Sequence, residues 1–373
     1  CPGTWKKLMS QKYTHYGWEC SPYSSKTRAY LRYKKIPHKD VYPNWFHVKR
    51  IMEKKVGFIV MPVVICPDGN PLQDSSEIID HFENEFATPS IHPNGPTQQL
   101  VSLIFELFAD EWFPLISLHT RWNIEENRRF ATEEFGRCAL PWLPGFLSKR
   151  MTQPMANKMR SYLPILGITE ETQPEINAWQ QELFSALEAH FSDSPFLLGT
   201  RPCLGDFALY GPIYAHLWRD PATRERVEQH PHLLAWVERL RDPTGDTGEF
   251  LENDQVPATL HTILSRVFKE QWPVLKQTVE AVSQWMDDHP NSPKIPRALG
   301  MLEFSIGSAR AERKILTFQQ WMLQRSLDYY QSLEGAERRS VDTFLSSVGG
   351  LDAMNIQLKH RLTRKRFRVV PEA

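Results

Sequence analysis

The stretch FIVMPVVICPDGNPLQDSSEIIDHF (58–82) constrains the fold of this chain more than any other. Two apolar runs flank Pro67-Asp68-Gly69-Asn70, a tight-turn sequence, so they read as the arms of a β-hairpin. The second arm runs into Asp74, Ser75 and Ser76, residue types that cap helix starts. Ile78, Phe82 and Phe86 then recur every four residues, with Ile79 beside them, which is the stripe of an amphipathic helix. Pro62 lies inside the first apolar run. It has no N–H for a sheet ladder, so it belongs at a strand start or an edge. A plain edge-strand proline is the simpler reading; a cis bond there would present the Met61 backbone to a ligand.

Upstream, residues 12–18 form a short β-like run that stops at the polar turn ECSPYSS. A helical pattern with Ala29, Leu31 and Tyr33 follows, then an extended segment, IPHKDV. The order is β-α-β-(helix or loop)-β-β-α. The Pro/Asn/Gly-rich segment ATPSIHPNGPT (87–97) reads as a linker. Residues 98–268 read almost entirely helical, and FELFADEWFPLISLHTRWN (105–123) reads as a long helix kinked at Pro114. A second break lies near 289–300. Beyond it, two β-like runs, LEFSIGS and RKILTF, surround a turn, and the helix WMLQRSLDYYQSL follows.

At 373 residues the chain is too long for one ordinary domain. Lys+Arg and Asp+Glu are both 44, and this zero net charge disfavours wholesale nucleic-acid binding. No run of about eighteen apolar residues is present, so no transmembrane helix is expected. The opening CPGTWKKLMSQ lacks the apolar core of a signal peptide. The five cysteines, Cys1, Cys20, Cys66, Cys138 and Cys203, are scattered without CxxC or zinc spacing. Reduced thiols in a cytoplasm are expected, and no metal site; His119 has no partner at ligand spacing.

Four segments, in order, resemble the glutathione transferase superfamily. SPYSSKTR (21–28) resembles that family's first helix start. MPVV (61–64) resembles its cis-proline strand, and DSSEI (74–78) its next helix start. FLLGTRPCLGDFALYGPIYAHL (196–217) resembles its buried capping segment. The resemblance implies an α/β plus all-α architecture: a thioredoxin-like domain over 11–88, an all-helical domain over 98–268, and a mixed C-terminal extension over 269–373. Two positions depart from the pattern. Cys203 stands where Ser or Thr usually caps, which leaves Asp206 more of the capping. Ser21-Pro22-Tyr23-Ser24 stands where glutaredoxins carry C-P-Y-C, so dithiol exchange through that motif is not available.

The resemblance further implies glutathione as co-substrate, a small-molecule electrophile as acceptor, and a cytoplasmic homodimer acting in detoxification. Ser21 is the hydroxyl expected to steady the glutathione thiolate, helped by the helix N-terminus. Tyr16, with Tyr13 and Tyr23, is a rival phenol, and Cys20 a rival nucleophile. The backbone of Met61 or Val63, around Pro62 in the same cofactor-binding stretch, would pair with the cysteinyl part, and Asp74 and Ser75 would take the γ-glutamyl end. Lys49, Arg50, Lys54 or Lys55 would meet the glycyl carboxylate. Tyr23, Trp112, Arg121 and Trp122 would line an acceptor cleft between the domains. Each of these residues also has a plainer role: a helix cap, a core aromatic, a solvated lysine. The tail KHRLTRKRFRVV, with six Lys/Arg, is expected to be solvated or to flank a helix, with an acidic or nucleic-acid partner as the other reading. A non-catalytic binding module and a Cys20-based thiol reductase stand as alternatives to the transferase.

Overall fold

The computed structural model describes residues 12–244 and 247–372, so Cys1 and the rest of the opening CPGTWKKLMSQ lie outside it. Strand β1 (Tyr13–Tyr16) leads into helix α1 (Pro22–Tyr33), then β2 (His38–Val41). Helix α2 starts at Trp45–His47 and continues as a π-helix over Val48–Val56. β3 (Val63–Ile65) and β4 (Pro71–Gln73) form the expected hairpin, and α3 (Ser75–Glu85) follows. The sheet order is β2-β1-β3-β4; β1 runs parallel to β2 and antiparallel to β3, which is antiparallel to β4. This is a thioredoxin-like layout.

Residues 42–57, open between helix and loop from sequence, are largely helical for two reasons. The Asn44 side chain accepts the N–H groups of Phe46 and His47. Val48, Ile51, Met52 and Val56 then bury one face with Val63. The Met61–Pro62 bond is cis, and Pro62 sits just before β3, where no ladder N–H is missed.

The helical part comprises α4 (Pro96–Glu111), α5 (Pro114–Asn123), α6 (Glu125–Ala139), α7 (Gly145–Arg160) and α8 (Gln173–Asp193). Then come α9 (Leu204–Pro212), continued by a π-turn to Trp218, α10 (Pro221–Glu228), α11 (Pro231–Arg241) and α12 (His261–Asp288). The single kinked helix expected over 105–123 is two helices. Pro114 has no N–H to continue α4, and its fixed φ suits the first turn of a new helix. α4 begins inside the expected linker, because Pro96 starts it and the Asp254 carboxylate accepts the N–H groups of Thr97 and Gln98. The expected boundary at 268 falls within the unbroken α12.

Helices α9 and α1 pack closely. A Cβ on Gly211 would come within 2.6 Å of the Pro22 carbonyl, so a larger residue there would push the start of α1 away. The cap of α9 rests on Asp206. Its buried carboxylate accepts the Cys203 N–H at 2.9 Å, the Leu197 N–H at 3.0 Å and the Trp236 indole N–H at 2.9 Å.

The C-terminal part contains the hairpin β5 (Ala298–Ile306) and β6 (Ala309–Leu316), then α13 (Thr317–Ser332), α14 (Gly335–Ser347), and a second hairpin, β7 (Leu362–Lys365) and β8 (Arg368–Pro371). It shares one continuous apolar core with the rest of the chain. Phe304 stands edge-on to Trp112 with ring centres 5.9 Å apart. The basic tail is solvated, as expected, at Lys359, Lys365, Arg366 and Arg368, while Arg361 and Arg364 are partly buried. It forms β7 and β8 and folds back onto the first domain, where Arg364 bonds the Gln73 carbonyl at 3.2 Å and the Glu77 carboxylate at 2.6 Å.

Candidate active site between the domains

Two cavities meet at a shared rim of Tyr23, Val60 and Met61. One, of about 480 Å³, lies between the start of α1 and the helical domain. Its walls include Trp18, Ile59, Leu118, Trp122, Phe135, Met155, Met159 and Tyr162, so it is mostly apolar. The other, of about 720 Å³, lies over Pro62, Gln73, Asp74 and Ser75 and carries charges of both signs. Both volumes suit small ligands.

Ser21 opens onto the apolar cavity as the N-cap of α1. Its Oγ accepts the Ser24 N–H at 3.3 Å, which leaves the hydroxyl proton free to donate. The segment is held from below. His15 bridges Asp40 at 2.9 Å and Thr27 at 2.8 Å, while Arg28 reaches the Gly17 carbonyl at 2.7 Å and Asp40 at 2.5 Å. Burial lowers His15 to about 4, so the ring is neutral and bridges the two groups without adding charge.

In the polar cavity, Asp74 caps α3 through the N–H groups of Ser76 and Glu77. Ser75, only 3% exposed, makes no side-chain hydrogen bond among the described residues, so its hydroxyl can serve a ligand. Glu111 lines the same wall, and burial beside Asp110 and Asp74 pushes its carboxyl up to about 8. Behind this wall Lys26 joins Asp110 at 2.6 Å and Glu106 at 2.9 Å, and Ser76 donates to Glu106 at 2.7 Å. Glu106, with Arg325 and Lys26 beside it, is held down to about 2, whereas burial pushes Asp110 up to about 7. The extension adds cations to the lining: Lys294, Arg297, Lys365, Arg366 and Arg368, with Arg364 4.0 Å from Asp74.

The structure brings Ser21, Cys20, Tyr23, Arg121 and Trp122 to the apolar cavity and Met61, Pro62, Asp74 and Ser75 to the polar one. Several expected residues are engaged elsewhere. The Cys20 thiol is buried and pushed up by that burial, which opposes nucleophilic use. Tyr16 lies under α2 with its ring 5.5 Å from His47, outside both cavities. Tyr13 donates to Glu85 at 2.7 Å, and Tyr23 donates to the Asp110 carbonyl at 3.0 Å. Arg121 spends its guanidinium on Asp220 at 2.6 and 2.8 Å, the Ala215 carbonyl at 2.5 Å and the Cys20 carbonyl at 2.6 Å, so it positions the active turn. Trp112 faces the extension, under the Arg313 guanidinium at 5.2 Å, and not the cleft.

His119 lines neither cavity and sits 2.9 Å from the Asn123 amide; no metal-binding cluster exists among the described residues. Val63 is wholly buried in β3. Lys49 pairs with Glu53 at 2.9 Å and Lys55 donates to the Gly69 carbonyl at 2.6 Å; neither they nor Arg50 and Lys54 line the polar cavity. Sequence reasoning missed Glu111 and the extension's arginines at this cavity. The density of cations in the tail was the available signal, but nothing local says where a tail folds back.

Residues 16–90 match the family model of the glutathione S-transferase N-terminal domain, and residues 180–239 match that of the C-terminal domain. The chain is similar to the solved structure of beta-etherase LigF from Sphingobium sp. strain SYK-6, at 19% identity, 63% of this chain, 96% of that chain and a TM-score of 0.42. It is similar to a glutathione S-transferase from Methylobacterium radiotolerans in complex with glutathione sulfonate, at 18% identity, 66% and 99% of the two chains and a TM-score of 0.39. It is also similar to FzlA from C. crescentus, at 14% identity, 66% and 96% coverage and a TM-score of 0.40. With both domain models matched in chain order, on a thioredoxin-like sheet and then on helices, the chain carries glutathione S-transferase N- and C-terminal domains.

Proposed function

We infer that this protein is a glutathione-dependent transferase whose two cavities hold the two reactants. The observation that carries this reading is their shared rim: a cavity lined by acidic and basic side chains and an apolar one meet at Tyr23, Val60 and Met61, with Ser21 beside them. The polar cavity fits the tripeptide. The Ser75 hydroxyl and the α3 N-terminus suit the γ-glutamyl carboxylate, and the Asp74 carboxylate suits its ammonium. The Met61 backbone pairs with the cysteinyl part and brings the thiol toward Ser21.

The Ser21 hydroxyl donates to the sulfur, and the positive end of α1 lies behind it, so the thiolate is favoured over the thiol. The thiolate then attacks an apolar electrophile held among Trp122, Phe135, Met155 and Met159. The apolar lining of that cavity strengthens the hydrogen bond to sulfur. The buried, pushed-up Cys20 thiol counts against a thiol reductase, whose nucleophile must ionise. A cytoplasmic homodimer belongs to the same reading.

Retention on immobilised glutathione, together with turnover of a chlorinated aromatic acceptor, tests it. Binding with turnover is expected. Absence of both would overturn the transferase assignment.

A further inference from the structure

Arg297 and Arg368 lie over the same ring, Phe58, at 5.6 and 4.8 Å from its centre to the two guanidinium carbons. They come from different segments of the extension, and neither has a carboxylate partner among the described residues. Two unpaired like charges converging on one ring repel, and an anion between them relieves that repulsion. Both residues line the polar cavity, and neither belongs to the segments matched by the two domain models.

The turn that carries Arg368 is pinned there at a cost. Arg366 and Phe367 sit at φ 49° and 62°, left-handed values that a two-residue hairpin usually assigns to Asn and Gly. Non-glycine residues held in that region cluster at ligand clamps. Arg364, with only 4% of its side chain exposed, bonds the Gln73 carbonyl and side-chain oxygen and the Glu77 carboxylate, and so locks the hairpin beside Asp74. Each lysine or arginine expected on α2 for the glycyl carboxylate lies outside the cavity.

We propose that the C-terminal extension completes the tripeptide site: Arg297 and Arg368, held over Phe58, bind the glycyl carboxylate of glutathione. The ammonium then meets the Asp74 carboxylate, and the glycyl carboxylate meets Arg297 and Arg368. Specificity for a thiol tripeptide with a free C-terminal carboxylate resides in the extension, outside the two matched domain segments. This rests on the reading that the polar cavity takes glutathione.

The test is calorimetric binding of glutathione and of its glycyl monoethyl ester to the full chain and to Arg297→Gln/Arg368→Gln. A charge-assisted contact is worth about tenfold in affinity. The unmodified chain should prefer the acid over the ester by at least about tenfold, and the double variant should lose that preference while binding the ester as before. The charge-keeping Arg297→Lys/Arg368→Lys should restore part of the preference, which separates a lost contact from a lost fold. Binding of the acid and the ester with equal affinity by the unmodified chain overturns the proposal alone, as does a double variant that still discriminates. Failure of the unmodified chain to bind either form overturns the transferase reading, and this proposal with it.

Discussion

Arg325 of the extension and Glu106 of α4 are joined at 3.0 Å inside the protein, and the same arginine holds Asp80 of α3 at 2.5 and 3.0 Å. Glu106 also accepts from Lys26 of α1. One carboxylate thus ties the first domain, the helical domain and the extension together. Replacing Arg325 with Ala leaves two carboxylates short of a partner, although Lys26 still serves Glu106. A loss of about 2–3 kcal/mol in urea unfolding is expected. Proteolytic cutting within 289–297 should become faster. An unchanged urea midpoint would show that the extension is held by its apolar contacts alone.

Ser21→Ala should raise the pH at which bound glutathione becomes a thiolate. One charge-assisted hydrogen bond corresponds to a shift of about one pH unit. The ultraviolet absorbance of the thiolate, titrated against pH in the binary complex, reads this directly. Coincident titration curves for the variant and the unmodified chain would take Ser21 out of thiolate stabilisation and leave it as the cap of α1.

Stability should fall as the solution becomes more alkaline. Glu111 sits at about 8 in the folded chain against an ordinary 4.5, so between those values the folded chain keeps a proton that the unfolded chain has released. The balance therefore shifts toward unfolding as pH climbs through that window, and the penalty is complete above it. Asp110, raised to about 7 from 3.8, acts in the same direction. Glu111→Gln should flatten the decline. Urea midpoints at about pH 5 and about pH 8 for both proteins measure it; parallel slopes would assign the decline to other groups.

Asp206→Ala should be among the costliest single changes in the helical domain. It strands the Cys203 and Leu197 N–H groups and the Trp236 indole, for about 3–5 kcal/mol. Cys203→Ser should do the opposite, with a gain of up to about 1 kcal/mol, because a hydroxyl is a better cap than a thiol. Thermal unfolding of the two variants separates these effects. Stabilisation by the serine would show that the departure from the family's capping residue costs stability.

The hairpin at 63–73, the capped helix after Asp74 and the cap role of Asp206 were legible in the sequence, because turn chemistry, capping and periodicity act over a few residues. The same local rules separated a mixed first domain from a helical second one and placed Ser21 at a helix start. They could not show that Trp112 turns from the cleft to Phe304, or that Tyr16 lies under α2, since a side chain's face depends on what packs against it. Lys49 and Lys55 are the cations that proximity in the chain offers, yet Glu53 and the Gly69 carbonyl hold them. Glu111 gains its raised carboxyl only from the burial and the like charges that folding gathers around it. What the sequence determined alone was the order of local elements and the family pattern they carry. What tertiary structure decided was which cations line the site: Arg364 meets Gln73 across 291 residues, and so long a closure is settled by packing of the whole core, not by neighbouring residues.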